Sequence, residues 1–166
     1  MFKKLFSNKK EAQVVEVAAA ITGRLVPLAE VPDEAFAQGM MGPGAAIDPS
    51  EGVAVAPFDG VVAHLIDTHH AVIVEHESGL QLLIHIGINT VSMQGSGFKA
   101  LVKTGDAVKA GQPLIEFDLE AIRAAGHSLI SPVIVAEEEA AEKVDCQYGT
   151  VKAGATGNYT ITLKQT

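Results

Sequence analysis

Turn residues recur along this chain at intervals too short for long helices, and that spacing limits the fold more than any other feature. Thr22-Gly23, Val31-Pro32-Asp33, Gly42-Pro43-Gly44, Asp59-Gly60, Ser78-Gly79, Gly95-Ser96-Gly97, Gly105-Asp106 and Ala110-Gly111 each carry Gly or Pro, which favour reversal of the chain. Between them lie short β-branched runs. Residues 53–55, 61–66, 71–74, 80–86, 112–117 and 159–163 read as strands, some alternating and some apolar on both faces. The pattern predicts an all-β fold, an antiparallel β-sandwich or barrel. Helix is confined to residues 32–38, 119–125 and 137–144, on the strength of their Ala and Glu content.

With 166 residues, of which 48% are hydrophobic and 19% charged, the chain has enough apolar surface for one compact domain, expected over residues 11–166. Its longest apolar runs, such as residues 17–21, fall far short of the roughly 20 residues a spanning helix needs. Twelve Lys and Arg against 20 Asp and Glu leave a formal charge of −8, the wrong sign for holding nucleic acid by its phosphates. A basic macromolecular partner is expected instead. Residues 1–10 reverse the trend, with Lys3, Lys4, Lys9 and Lys10 and no acid. On a helix Met1, Phe2, Leu5 and Phe6 would share one side, a small basic amphipathic segment suited to weak contact with a membrane surface; the plainer reading is a frayed charged terminus. One cysteine, Cys146, cannot form an internal disulfide, which fits a reducing cytoplasmic setting.

Candidate chemistry concentrates in residues 67–90, a predicted β-hairpin. His70 and His85 stand 15 positions apart, and a two-residue loop at Glu77-Ser78 or Ser78-Gly79 puts them on one sheet face, opposite or diagonal. An odd-length loop would put them on opposite faces. A lone histidine among apolar neighbours is most often a satisfied core residue, whereas two that converge point to chemistry. His69 is expected to face the other way, exposed and non-catalytic, and His64, His76 and His127 to be surface residues without partners.

The run Gly79-Leu-Gln-Leu82-Leu83-Ile84-His85-Ile86-Gly87-Ile88-Asn89-Thr90-Val91 resembles the phosphorylation-site signature of the glucose-class enzyme IIA of the bacterial phosphoenolpyruvate-dependent sugar phosphotransferase system. The likeness covers most of the chain. Val31-Pro-Asp33, Phe36-Ala, the segment 42–49, Ala56-Pro57 and Asp59-Gly60 follow the family's order, as do Gly97-Phe98, Gly105-Asp106-Ala-Val108-Lys and Ile115-Glu-Phe117-Asp-Leu119. The resemblance implies a β-sandwich built from a duplicated motif, with His85 as the phosphorylated histidine, His70 as its partner and Thr68 as the hydroxyl that orients His70. It implies transfer of a phosphoryl group from the phosphocarrier HPr to the IIB domain of a sugar permease, with no cofactor and no metal.

Gly87 is expected to leave room beside His85 for the donor's histidine and then the acceptor's cysteine. Asp33 matches an acidic position at the family's partner-binding rim, and Met40 and Met41 suit a surface that meets different partners. Phe36 and Ile47 read as core. Asn89 departs from the family, which commonly has Asp there, and so removes a negative charge beside the site.

Two other readings were weighed against this one. Residues 103–114 resemble the turn-rich strands of biotinyl and lipoyl carrier domains, but no lysine stands at a hairpin tip in the expected setting. A zinc hydrolase of the related metallopeptidase sandwich type would use His70 and His85 as ligands. Such enzymes close the site with a His-x-His near the end, and Tyr159-Thr-Ile-Thr-Leu163 has no histidine. Two ligands would support only adventitious zinc.

Overall fold

The structure, a computed structural model, describes residues 13–165; the basic segment 1–10 lies outside the described residues. It is mostly antiparallel β. The strands are β1 (Val14–Glu16), β2 (Ile21–Pro27), β3 (Gly44–Val55), β4 (Gly60–Leu65), β5 (Ala71–His76), β6 (Gln81–His85), β7 (Phe98–Ala100), β8 (Ala107–Val108), β9 (Pro113–Phe117), β10 (Ser131–Val135), β11 (Ala141–Cys146), β12 (Gly149–Val151) and β13 (Tyr159–Leu163). Two short helices, α1 (Glu34–Ala37) and α2 (Leu119–Ala124), join them. A curled ten-stranded sheet runs β12-β2-β3-β10-β6-β5-β4-β8, with β9 paired to β3 and β7. A three-stranded sheet, β1-β13-β11, completes the sandwich.

Alternation explains where the core lies. In β5 and β6 the side chains of Val72, Val74, Leu82 and Ile84 are fully buried in the main core, each contributing about 1.5–3 kcal/mol. Val15 and Ile161 of the small sheet meet the same core. Leu83, on the opposite face of β6, joins a second cluster with Val26, Val31, Phe36, Ala46, Ile88 and Ile134. This satellite core packs the segment carrying α1 against the outer face of β6, beside the end of that strand where His85 stands.

Three local expectations are corrected. Residues 137–144 were expected as helix; the chain makes one 3-10 turn at Glu138–Ala140 and then β11. The edge of β13 offers unpaired backbone groups, and pairing with them outweighs the helix preference of Ala and Glu. Glu142, Lys143 and Asp145 are exposed on this edge strand, where charge discourages further pairing. Several strands went unforeseen, among them β2, β10 and the first half of β3, whose glycines and prolines read as breakers.

The third correction is the hairpin. Ala71 pairs with His85 and Glu75 with Gln81, and the His76 amide donates to the Leu80 carbonyl at 2.8 Å, so the loop comprises the three residues 77–79. Continued as a regular strand, β5 would turn His70 toward the core with Val72 and Val74, away from His85.

Candidate functional site

The histidines meet where β5 begins: the Ile86 amide still donates to the His70 carbonyl at 2.8 Å, but before His70 the chain has left the strand. Residues 66–70 form a turn in which the His69 amide donates to the Ile66 carbonyl at 2.7 Å and His69 adopts a φ of 60°. That left-handed residue belongs to the turn that precedes β5; beside it the His70 and His85 rings lie edge to face with centroids 5.0 Å apart. In the same turn Thr68 Oγ1 is 2.6 Å from His70 Nδ1. His69 itself is half-buried, not exposed as expected.

His85 sits at the end of β6 with its Nδ1 2.8 Å from the Gly87 carbonyl. A carbonyl only accepts, so Nδ1 carries the proton and Nε2 of the neutral ring holds the lone pair. The Phe36 ring lies 5.2 Å away. Burial lowers the pKa of His85, opposed by its hydrogen bond to Gly87 and by the negative charge of Asp33. His70, only 5% exposed, is lowered from 6.5 to about 4 by burial and then by the neighbouring His85. Both rings are therefore neutral near pH 7.

Gly87 is also required by the turn it stands in. It has a φ of 68°, and a Cβ there would lie 2.8 Å from Thr90 Cγ2 and 2.9 Å from the Ser128 carbonyl. Its missing side chain is space taken by the protein itself, and glycine is required by the turn. Asn89 follows, exposed and with a φ of 61°, at the head of a 3-10 turn over Thr90–Met93.

Asp33 is half-buried and caps α1, accepting from the Phe36 amide at 3.2 Å. Met40 and Met41, in the turn that closes α1, are 70% and 48% exposed, while Phe36 and Ile47 are buried in the two cores. Val91, which sequence reasoning passed over, is 54% exposed in the loop after His85. His64 is exposed. His76 and His127, expected to lack partners, bond Ser78 Oγ and Ser92 Oγ respectively, and His76 also meets the Phe58 ring edge to face.

Sequence reasoning also assigned no role to two hydroxyls behind the site. Thr90 and Ser131 are completely buried, and His70 is nearly so. All three gather around the His85 loop. A serine inside the apolar run Leu129-Ile-Ser131-Pro-Val-Ile-Val135 was the signal available in the sequence. Among the described residues no group of three His, Cys, Asp or Glu side chains is arranged to hold a metal ion. A hydrolase's zinc would thus have two ligands from His70 and His85 at most.

Comparison with known proteins follows the same line. The family described as "phosphoenolpyruvate-dependent sugar phosphotransferase system, EIIA 1" matches residues 15–141. A "PTS system glucose-specific EIIA component" of Bacillus anthracis is 44% identical over 99% of this chain and all of its own length. One of the same description from Staphylococcus epidermidis is 46% identical over 87% of each. Among solved structures, glucose permease IIA from Mycoplasma capricolum superposes with a TM-score of 0.84 at 32% identity, covering 89% of this chain and 96% of its own.

Proposed function

Because the chain belongs to the EIIA 1 family of the phosphoenolpyruvate-dependent sugar phosphotransferase system, we propose that it is the phosphocarrier that accepts a phosphoryl group on His85 from phospho-HPr and passes it to the IIB domain of a sugar permease. The observation that carries this reading is the pair of neutral imidazoles in contact, with the Nδ1 of His85 held by a carbonyl.

The division of labour follows from that geometry. The Nε2 lone pair of His85 attacks phosphorus as the P–N bond of the donor phosphohistidine breaks, and the bonding pair returns to the donor ring. As His85 becomes cationic in the transition state, its Nδ1 proton binds the Gly87 carbonyl more strongly. With the Thr68 hydroxyl donating to His70 Nδ1, the neutral His70 ring carries its proton on Nε2, where it donates to a phosphoryl oxygen. The lowered pKa of His85 keeps its lone pair free of a proton.

Exposed Met40, Met41 and Val91 form the apolar docking area, with Asp33 and Asn89 on its rim. Residues 11–166 act as one domain in the cytoplasm, and the basic segment 1–10 brings it near the inner membrane surface where the permease lies. Incubation with phosphoenolpyruvate, enzyme I and HPr should add one acid-labile phosphoryl group, about 80 Da, to His85. A label on another residue, or none, overturns the proposal.

A further inference from the structure

Two peptide planes meet at Gly87, and each is held at both ends. In the plane between residues 86 and 87, the Ile86 carbonyl accepts from Thr90 Oγ1 at 2.5 Å and the Gly87 amide donates to Ser131 Oγ at 3.0 Å. In the plane between residues 87 and 88, the Ile88 amide donates to the Ser128 carbonyl at 3.1 Å and the Gly87 carbonyl accepts from His85 Nδ1. Ser131 is itself oriented, since its hydroxyl donates to the Leu129 carbonyl at 2.8 Å. The serine oxygen is thereby committed to receive the Gly87 proton.

Glycine at a positive φ is the residue most free to flip the peptide that follows it. A flip here would turn the Gly87 carbonyl away from His85 and aim an N–H at the ring instead. Nδ1 would then lose its proton to Nε2, and the nitrogen proposed to attack phosphorus would no longer present a lone pair. The Ile88 amide bond to Ser128 resists this directly, and the hydroxyls of Thr90 and Ser131 hold the preceding plane, on which that carbonyl is hung, from positions with no exposure to solvent.

We infer that Ser131 and Thr90 are positioning residues that fix the reactive tautomer of His85 by holding the peptide plane that leads into Gly87, and with it the place of the Gly87 carbonyl. Ser131 lies on β10, which is paired with β6, so the lock is referenced to the strand that carries His85. The inference rests on the reading of His85 Nε2 as the nucleophile, yet its central claim concerns the unphosphorylated protein and can be read without any phosphoryl donor.

The test uses full-length protein with ¹⁵N-labelled histidines and reads the ring nitrogen shifts of His85 at neutral pH. In the natural protein His85 should be in the Nδ1–H form. Thr90→Val, which keeps the shape and removes the hydroxyl, and Ser131→Ala should each move it toward the Nε2–H form, while Thr90→Ser should restore the natural spectrum. Phosphoryl acceptance from phospho-HPr should fall about tenfold in kcat, the scale on which outer partners of an imidazole act, with KM for HPr unchanged. Should Ser131→Ala fail to fold, Thr90→Val carries the same test. An Nδ1–H spectrum retained in a folded variant lacking either hydroxyl overturns the inference. A natural protein with the expected tautomer that HPr cannot phosphorylate would overturn the proposed function and leave the positioning role standing.

Discussion

At the scale of single residues, the two histidines are neutral for one reason and differently bonded for another. Burial disfavours the imidazolium in both, while Gly87 and Thr68 engage the Nδ1 of different rings. His85→Ala should abolish phosphoryl acceptance while leaving the thermal midpoint nearly unchanged, because the ring is only half-buried; mass spectrometry after incubation with the donor proteins checks this. His70→Gln should still accept from HPr, since an amide keeps a hydrogen bond, and should be impaired in donation to IIB. Equal loss of acceptance in both variants would show that the roles are wrongly divided.

The depressed pKa of His70 also predicts a pH dependence of stability. Between its ordinary value of 6.5 and about 4 the unfolded chain takes up a proton that the folded protein refuses. The contribution is complete above the upper limit and is lost as pH falls toward the lower one, about 3 kcal/mol over the whole window. The urea midpoint of the natural protein should fall more steeply on acidification than that of His70→Gln; parallel curves would contradict it.

At the scale of elements, α1 is a single turn, too short to persist alone, and it is held by its cap and by Phe36 in the satellite core. Asp33 is the capping oxygen and, on the proposed function, a charge at the docking rim as well. Asn caps a helix as well as Asp does, so Asp33→Asn should leave stability within a few tenths of a kcal/mol, whereas Asp33→Ala should cost about 1 kcal/mol. The charge shows in kinetics: Asp33→Asn should slow transfer from HPr at low ionic strength and have little effect at high salt. Stopped-flow rates across a salt series decide it, and a rate indifferent to both salt and Asp33 would mean that apolar contact alone sets recognition.

Across the whole molecule, the small sheet steadies the strand that backs the site. Tyr159 of β13 is buried, and its hydroxyl donates to the Val133 carbonyl of β10 at 2.8 Å. Tyr159→Phe leaves that carbonyl without its partner in a dry interior, and equilibrium unfolding should register a loss of about 1–2 kcal/mol. The same substitution should not change HPr docking, since Tyr159 is not on the exposed surface that carries Met40 and Met41. The formal charge of −8 belongs to this scale too: it suits fast encounter with a basic partner while a small apolar patch allows release.

Turn spacing and period-two patterning were enough to read the all-β class and a hairpin within residues 67–90, and Ala and Glu content marked α1 and α2, because each depends on residues near one another in the chain. The run from Gly79 to Val91 was likewise legible as a family signature, and the wider likeness allowed His85, His70 and Thr68 to be named as candidates. What the tertiary structure decided depended on distant partners. Residues 141–146 became strand because the edge of β13 was open to them, against their own helix preference. His70 reached His85 at the turn where β5 begins and not along a regular strand face. Ser131 came to hold Gly87 across 44 positions of sequence. A buried hydrogen-bonding group must find whichever partner the folded chain brings to it, and local sequence patterns do not specify which partner that is.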